Sequence, residues 1–89
     1  MKRLIILGGG ESGVGTAILG KQKGYNVFVS DKGEIVKKYK KVLLNNEIPF
    51  EEGKHSENKI CEADVVMKSP GIPDKVAIIQ ELIERKIPV

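Results

Sequence analysis

With 89 residues, a hydrophobic fraction of 40% and a formal net charge of +3, the chain is long enough for one domain with a modest core. Aliphatic residues far outnumber aromatic ones, which excludes a disordered or fibrous chain and suits a sheet flanked by helices. The basic residues form no stripe with interleaved aromatics, so nucleic acid is not an expected partner, and the excess charge reflects either an anionic ligand or a lysine-rich surface.

The first half of the chain predicts two strands and two helices. Arg3 to Leu7 is a continuous apolar run that ends in glycines, as a central strand covered on both faces does. A helix is expected from Ser12, its N-cap, to a stop at Gly24, and Asn26 to Ser30 forms the second strand. Glu34 to Asn46 then predicts an amphipathic helix whose polar face is rich in lysine and whose apolar face carries Ile35, Tyr39, Val42 and Leu43.

The second half predicts a weak strand, a brief helix, a clear strand and a final helix. The weak strand covers Pro49 to Glu51 and the brief helix Ser56 to Glu62. Val65 to Lys68 is the clear strand, and it is followed by a loop over residues 69–73, where two prolines and a glycine prevent a regular element. Asp74 to Lys86 then predicts a helix, with an apolar periodicity of Val76, Ile79, Leu82 and Ile83. The last residues, Ile87-Pro88-Val89, predict the beginning of a fifth strand.

This order of elements predicts the fold class. Strands that alternate with helices every roughly 20 to 25 residues imply right-handed crossovers and a parallel sheet, most simply in the order 3-2-1-4-5. We therefore expect an α/β fold, a Rossmann-like three-layer domain with a parallel sheet of four to five strands. Because the chain stops as the fifth strand begins, we expect residues 1–89 to be a single domain excised from a longer protein.

A glycine-rich loop separates the first strand from the first helix. Gly8 to Gly13 reads G-x-G-x-x-G, which in this position predicts a nucleotide site, the alternative being a purely structural turn. Gly8 permits the tight turn, Gly10 lets a diphosphate approach the backbone, and Gly13 lets the helix pack close to the sheet. The free amides of the helix N-terminus would bind the anion. Glu11 should then point to solvent, because a carboxylate repels a diphosphate.

Two further loops would flank the same crevice. Asp31 closes the second strand, where an acidic residue binds ribose hydroxyls in NAD sites, and a turn-forming or helix-capping role is an equal alternative. Lys32 either binds a base carbonyl or a phosphate or is an ordinary exposed lysine. The fourth strand is expected on the other side of the first strand, so the loop that follows it would face the same crevice. This loop is either a ligand contact or a plain turn. Its residues are Ser69, Pro70 and Gly71.

No catalytic or metal-binding set is predicted. His55 is the only histidine and has no partner placed by the sequence, so a structural role is favoured. Cys61 is expected to be a buried, inert thiol, since no ligand lies at metal spacing from it. No G-x-x-x-x-G-K-[ST] loop is present to bind a nucleoside triphosphate. A lone cysteine and an apolar opening too short for a signal peptide or a membrane span indicate a cytoplasmic protein with no membrane partner.

Three motifs together resemble the Mur ligase family over essentially the whole chain: G-G-G-E-S-G-V-G, Asp31 after the second strand, and S-P-G-I-P after the fourth. Within the family, the chain is similar to the first domain of the D-glutamate-adding branch. The resemblance implies a domain that binds the UDP moiety of UDP-N-acetylmuramoyl-L-alanine. Its diphosphate would contact the glycine loop, and its uridine the other two loops. The residues implied are Gly10, Glu11, Ser12, Gly13, Asp31, Lys32, Ser69, Pro70 and Gly71. Glu11 stands where family members often have a small or apolar residue.

The resemblance also implies what the rest of a longer protein would do. A central domain would bind ATP and Mg²⁺, a C-terminal domain would bind D-glutamate, and the whole enzyme would form an amide through an acyl phosphate in peptidoglycan synthesis. The fragment itself would hold no cofactor, be monomeric and be inactive alone. The alternative is an NAD-binding regulatory or redox-sensing domain, in which Asp31 would hold the adenosine ribose but the loop at residues 69–71 would have no special role.

Overall fold

The computed structural model describes residues 2–68 and 77–85, apart from the side chains at positions 57, 77–79 and 81. Within these residues, strands and helices alternate along the chain. The strands are β1 (Arg3–Leu7), β2 (Asn26–Asp31), β3 (Phe50–Glu52) and β4 (Val65–Lys68). The helices are α1 (Glu11–Gln22), α2 (Lys37–Asn45), α3 (Glu57–Ile60) and α4 (Ala77–Glu84). None of these helices has the length and apolar character needed to cross a bilayer.

The strands form one parallel sheet in the order β3-β2-β1-β4. β1 and β4 have the bounds predicted for them, and the predicted order is confirmed for four strands. The predicted fifth strand, at residues 87–89, lies outside the described residues. Leu7 at the end of β1 pairs with Ser30 on one side and with Lys68 on the other. The chain therefore changes its direction of travel across the sheet at β1, and such a reversal leaves a crevice at the carboxyl ends of the strands.

Two apolar layers cover the two faces of the sheet. Successive side chains of β1 alternate between them, as the pleat requires: Leu4 and Ile6 join the first layer, whereas Ile5 and Leu7 join the second. The first layer is completed from α1, β2, α2 and their flanking segments by Val14, Ala17, Val27, Val29, Ile35, Leu43 and Ile48. The second is completed by Ile60, Ala63, Val66 and Leu82. The predicted three-layer α/β architecture is confirmed.

Helix α1 packs closely on the sheet because glycines face it. A Cβ atom at Gly13 would lie 1.9 Å from the carbonyl oxygen of Gly8, and one at Gly20 would lie 2.6 Å from Leu4 Cδ2. Only a residue without a side chain allows such an approach. Gly8 has a φ of 111°, the positive region expected for the tight turn. The structural roles predicted for Gly8 and Gly13 therefore agree with the structure.

Helix α1 begins earlier than the sequence pattern suggests. Its N-cap is Gly10, so the prediction of Ser12 as N-cap is wrong, and Ser12 lies exposed in the first turn. The turn at Gly8 brings the chain directly into the helical direction. Glu11 then occupies the first turn, where its charge suits the positive end of the helix dipole.

Helix α2 is shorter at its N-terminal end than predicted. It begins at Lys37 rather than Glu34, because the Ile35 amide donates to Glu52 Oε1 at 3.0 Å instead of entering the helix. One lysine of the predicted solvent face, Lys40, is half-buried and binds Glu52 Oε2 at 2.8 Å. The predicted apolar face is confirmed as part of the first layer, with Ile35, Tyr39, Val42 and Leu43.

The elements between α2 and β4 are also displaced. β3 covers Phe50–Glu52 rather than Pro49 to Glu51, because proline has no amide hydrogen for the ladder. α3 covers only Glu57–Ile60 rather than Ser56 to Glu62. Ser56 precedes the helix, and its carbonyl accepts the amide of residue 60 at 3.0 Å. Short elements of this kind have weak periodicity, which explains the error in their bounds.

Helix α4 lies within the range predicted for it. Ala77–Glu84 falls inside Asp74 to Lys86, and residues 74–76 and 86 lie outside the described residues. Leu82 is fully buried in the second layer, whereas Ile83, predicted on the same face, is 54% exposed. Adjacent helical positions differ by about 100° around the axis, so the two side chains cannot both face the sheet.

Helices α1 and α2 end in the same type of hydrogen-bonded turn, which needs a residue in the left-handed conformation. After α1 this residue is Gly24, the predicted stop, with a φ of 90°. After α2 it is Glu47, with a φ of 57°. In that second turn the Ile48 amide donates to the Leu43 carbonyl at 2.9 Å, and the Glu47 amide donates to the Leu44 carbonyl at 3.1 Å. A side chain thus occupies a conformation that favours glycine.

We expect Gly13→Ala to lower the free energy of unfolding by about 3 kcal/mol or more, because its methyl group would overlap the Gly8 carbonyl. Gly15→Ala is the matched control in the same helix. Gly15 is exposed and an added Cβ there meets nothing within 4 Å, so this variant should be more stable by about 0.5–1 kcal/mol. Urea unfolding measures both values. Equal stability of the two variants would show that α1 does not rest on Gly8.

We expect Glu47→Gly to stabilise the protein by about 0.5–1 kcal/mol, because glycine adopts a positive φ without steric cost. The contact between Lys21 Nζ and the Glu47 carbonyl, at 3.1 Å, involves only backbone of residue 47 and should persist. Gly24→Ala, the opposite change in the equivalent turn, should lower the melting temperature. A lower melting temperature for Glu47→Gly would contradict the assignment of strain to this residue.

Candidate functional site

The candidate site lies at the carboxyl edge of the sheet, where the glycine loop (Gly8 to Gly13) joins β1 to α1. The Gly8 amide donates to the Ser30 carbonyl at 2.8 Å, and the Gly9 amide donates to Asp31 Oδ2 at 2.8 Å. Two successive amides of the loop are therefore tied to two successive residues of β2. This attachment sets the position of the loop before the helix begins.

The N-terminus of α1 is open. No described side chain caps it, and the Val14 amide is the first that bonds back, to the Gly10 carbonyl at 2.9 Å. The amides that precede Val14 have no intrahelical acceptor, as at any helix N-terminus. An added Cβ at Gly10 would meet nothing within 4 Å. Within residues 2–68 and 77–85, nothing fills the space beside Gly10 at the positive end of this 12-residue helix, and helix ends of this kind can bind phosphate groups.

The predicted contacts of the glycine loop fall into two groups. Glu11 and Ser12 are both exposed in the first turn of α1. The carboxylate of Glu11 is thus screened by water, as expected for a side chain beside an anion site. Gly13 is buried against Gly8, so only its backbone is available to a ligand.

Asp31 holds two loops together. Its Oδ2 accepts the Gly9 amide, and its Oδ1 accepts the Gly33 amide at 2.9 Å. The turn-forming role that the sequence left open is therefore present. Each carboxylate oxygen has a second lone pair, so the half-buried side chain can still accept a hydrogen bond from a ligand. Lys32, the next residue, is exposed.

A cleft opens beside the Asp31 loop. It has a volume of 390 Å³, which is sufficient for a base or a sugar, and its lining mixes acidic and basic side chains. The Gly53 amide donates to the Gly33 carbonyl at 2.9 Å and so joins the loops that follow β2 and β3. The cleft is lined by Lys32, Gly33, Glu34, Glu52 and Gly53.

The third predicted loop cannot be placed in the same way. Ser69, Pro70 and Gly71 lie outside the described residues. β4 ends at Lys68, which pairs with Leu7 on the side of β1 opposite Ser30. The described residues therefore bring together the glycine loop and the Asp31 loop, and the third loop follows directly in the sequence from the strand on the other side.

A polar cluster behind the glycine loop was not predicted. Ser30 is fully buried, and its Oγ lies 2.8 Å from Glu51 Oε2 and 2.7 Å from His55 Nδ1. Ser56 donates both its hydroxyl and its amide to the Glu51 carboxylate. The sequence assigned His55 no partner because a serine in a strand gives no signal of what will pack beside it.

Hydrogen bonds keep Glu51 ionised. Burial by itself raises the pKa of this carboxyl group. The bonds from the Ser56 hydroxyl and amide and from the Ser30 hydroxyl outweigh that effect, so the net pKa is below its ordinary value. At neutral pH the Glu51 carboxylate therefore accepts hydrogen bonds and donates none.

The surroundings of His55 favour a neutral ring. Burial is the largest influence on the pKa of His55 and lowers it, and the charge of Lys32 also lowers it. The carboxylates of Glu51 and Asp31 raise it, but the net pKa lies below the ordinary value. The ring is therefore uncharged at neutral pH. The ring also contacts Ser30, the residue before Asp31, at 2.7 Å.

The described residues hold no metal centre. Residues 2–68 and 77–85 contain no group of three or more His, Cys, Asp or Glu side chains that could bind an ion. Cys61 is half-buried at the edge of the second layer rather than fully buried as predicted, because the short helix α3 ends immediately before it.

Known proteins match this chain closely. The family model described as the MurD N-terminal domain matches residues 3–78. A curated relative, the UDP-N-acetylmuramoylalanine--D-glutamate ligase of Christiangramia forsetii, is 62% identical over 88 residues, covering 99% of this chain. The enzyme of the same name from Bacteroides fragilis is 49% identical over 89 residues, covering 100% of this chain. The chain spans only 20% of the length of either relative.

The fold also matches a solved structure. A pseudomurein peptide ligase type C from Methanothermus fervidus superposes with a TM-score of 0.84 at 24% sequence identity, covering 99% of this chain and 18% of that one. This likeness concerns the fold alone. The family model covers most of the chain, and the two curated relatives match it along nearly its whole length. The chain therefore belongs to the family of MurD N-terminal domains of the Mur ligases.

Proposed function

We propose that this chain binds the UDP moiety of UDP-N-acetylmuramoyl-L-alanine, as the first domain of a longer ATP-dependent ligase that adds D-glutamate to peptidoglycan precursors. The observation that carries the proposal is the open N-terminus of α1, held in place by the bonds from Gly8 and Gly9 to β2. The ligase activity is the one named for the two curated relatives, and the chain spans only 20% of their length. The activity of the whole protein is therefore part of the proposal.

The diphosphate would bind at the glycine loop. The amides of residues 10–13 supply hydrogen-bond donors, and the helix dipole adds a favourable field for negative charge. Gly10 leaves the approach clear, and the exposed Ser12 hydroxyl can donate a further bond. Glu11 would contribute its amide while its carboxylate stays in solvent. The same elements suit any diphosphate, so they do not by themselves select uridine.

Selection of uridine would come from the loops on both sides of β1. Asp31 retains lone pairs for a ribose hydroxyl or for the N–H of uracil, and Lys32 can donate to a carbonyl oxygen of the base. Uracil has one ring N–H between two carbonyls, so a carboxylate and an ammonium group complement it. In this proposal the loop at residues 69–71 contributes the other side of the base pocket.

The remaining reactants would bind to parts of the longer protein. The sequence contains no phosphate loop for ATP, and the described residues offer no cluster for Mg²⁺. No step of phosphoryl transfer or amide formation is therefore assigned to this chain, which should be inactive alone. We also propose that the protein is monomeric and cytoplasmic, and that only the whole enzyme adds D-glutamate.

The proposal is tested by titrating the labelled chain with UDP, with UDP-N-acetylmuramoyl-L-alanine and with NAD while recording amide chemical shifts. We expect the two uridine ligands to move the signals of Gly10, Ser12, Lys32 and Gly71 together, with a Kd on the order of 1 mM, about −4 kcal/mol. NAD at equal concentration should move them much less. If NAD saturates these signals while UDP leaves them in place, the chain is instead an NAD-binding regulatory or redox-sensing domain.

We expect Gly10→Val to abolish the rise in melting temperature that UDP produces, because its branched side chain would occupy the space needed by the diphosphate. The variant itself should lose only about 1 kcal/mol of stability, since an N-cap position in extended conformation accepts a side chain. Gly15→Ala, on the exposed side of α1, should keep the full ligand effect. Equal ligand effects in Gly10→Val and the wild type would show that the loop does not bind phosphate.

A further inference from the structure

The Ser30 hydroxyl has one proton and three polar neighbours. Its Oγ lies 2.8 Å from Glu51 Oε2, 2.7 Å from His55 Nδ1 and 3.3 Å from the Lys54 carbonyl oxygen. An ionised carboxylate and a carbonyl can only accept hydrogen bonds, whereas a neutral imidazole nitrogen is either a donor or an acceptor. The direction of each bond in the cluster therefore depends on which nitrogen of His55 carries the proton.

Only one assignment satisfies both short contacts. If Ser30 donated to His55, its lone pairs would face the Glu51 carboxylate at 2.8 Å, and two acceptors at that distance repel. If His55 donates from Nδ1–H to Ser30 Oγ, the hydroxyl proton is free to bind Glu51. The chain of donors then runs from His55 through Ser30 to Glu51. We call this arrangement the serine relay.

The serine relay is anchored at its acidic end. Glu51 accepts the Ser56 amide at 2.8 Å and the Ser56 hydroxyl in addition to Ser30. It also lies in β3, paired directly with Ser30 in the sheet register. The carboxylate therefore cannot move to compensate for a change at His55. Loss of the hydrogen bond from His55 would therefore change the position of the Ser30 hydroxyl.

Ser30 connects the relay to the glycine loop. Its side chain is fully buried, its carbonyl accepts the Gly8 amide, and the next residue, Asp31, accepts the Gly9 amide. The backbone that the relay holds is thus the backbone that holds the loop. A shift of the Ser30 backbone would displace both loop amides together and, with them, the start of α1.

We propose that His55 is a positioning residue of the glycine loop, which acts by donating from Nδ1–H through the Ser30 hydroxyl to Glu51. The geometry of the relay belongs to the protein alone, whereas its effect on ligand affinity rests on the proposed UDP site. His55 does not bind the ligand in this role. Protonation of the ring adds a proton at Nε2 and leaves the Nδ1–H donor unchanged, so the relay survives titration of the histidine.

The tautomer of His55 is the first test, and it needs no ligand. The chain has one histidine, so long-range ¹H–¹⁵N spectra of the labelled protein contain one set of ring signals. At about pH 7.5, where an ordinary histidine is neutral, we expect a protonated Nδ1 and an unprotonated Nε2. The charged groups that face the ring and affect the titration are Glu51 on β3, Asp31 at the end of β2, and Lys32 after it. A ring protonated on Nε2 instead would overturn the proposal.

Two isosteric variants separate positioning from direct contact. In His55→Asn the side-chain amide nitrogen lies near the position of Nδ1, and in His55→Gln it lies near that of Nε2. We expect Asn to retain UDP affinity and Gln to weaken it about fivefold to tenfold, the ratio for one lost hydrogen bond. Retained affinity in Gln with a loss in Asn would mean that the ring acts through Nε2 on the ligand. That result, or unchanged affinity in both folded variants, would overturn the positioning role.

The amide signals of Gly8 and Gly9 separate this inference from the proposed function. In the absence of ligand, His55→Gln and Ser30→Ala should shift both signals, and His55→Asn should leave them near their wild-type positions. If the wild type binds no UDP, the proposed function fails and these signals still decide the role of His55. Unmoved signals in Ser30→Ala would overturn the relay. If His55→Gln does not fold, the tautomer of the wild type and the His55→Asn variant still test the role of His55.

Discussion

The attachment of the glycine loop to β2 is the constraint on which the rest of the structure depends. Two adjacent residues of the strand, Ser30 and Asp31, accept the amides of two adjacent loop residues, one through a carbonyl and one through a carboxylate. With these amides satisfied, the next ones along the chain are the unpaired donors of a helix N-terminus. The same contacts that complete the sheet edge therefore leave a group of unpaired amides at its surface.

Close packing makes this attachment possible. α1 approaches the sheet at Gly13 and Gly20, where an added methyl group would overlap the Gly8 carbonyl and the Leu4 side chain. The helix is thus held close at both ends of β1, and its positive end faces the crevice. A larger side chain at either position would push the helix away from the sheet and move its first turn from the site.

Polar residues are buried beside the strand to which this loop is attached. Ser30 is fully buried, and burial of a hydroxyl beside a carboxylate is unfavourable unless each group finds partners. Glu51, His55 and Ser56 supply them, and no buried side-chain nitrogen or oxygen among the described residues lacks a hydrogen bond.

The sequence by itself determined the three-layer fold, the order of four strands, the bounds of β1 and β4, and the glycine loop, because apolar periodicity and glycine placement are local signals. Only the tertiary structure decided the partners of Asp31 and His55 and the late start of α2. Each depends on hydrogen bonds between residues far apart in the chain, such as Ile35 to Glu52. Such pairs meet through the register of neighbouring strands, and no pattern within one segment encodes that register.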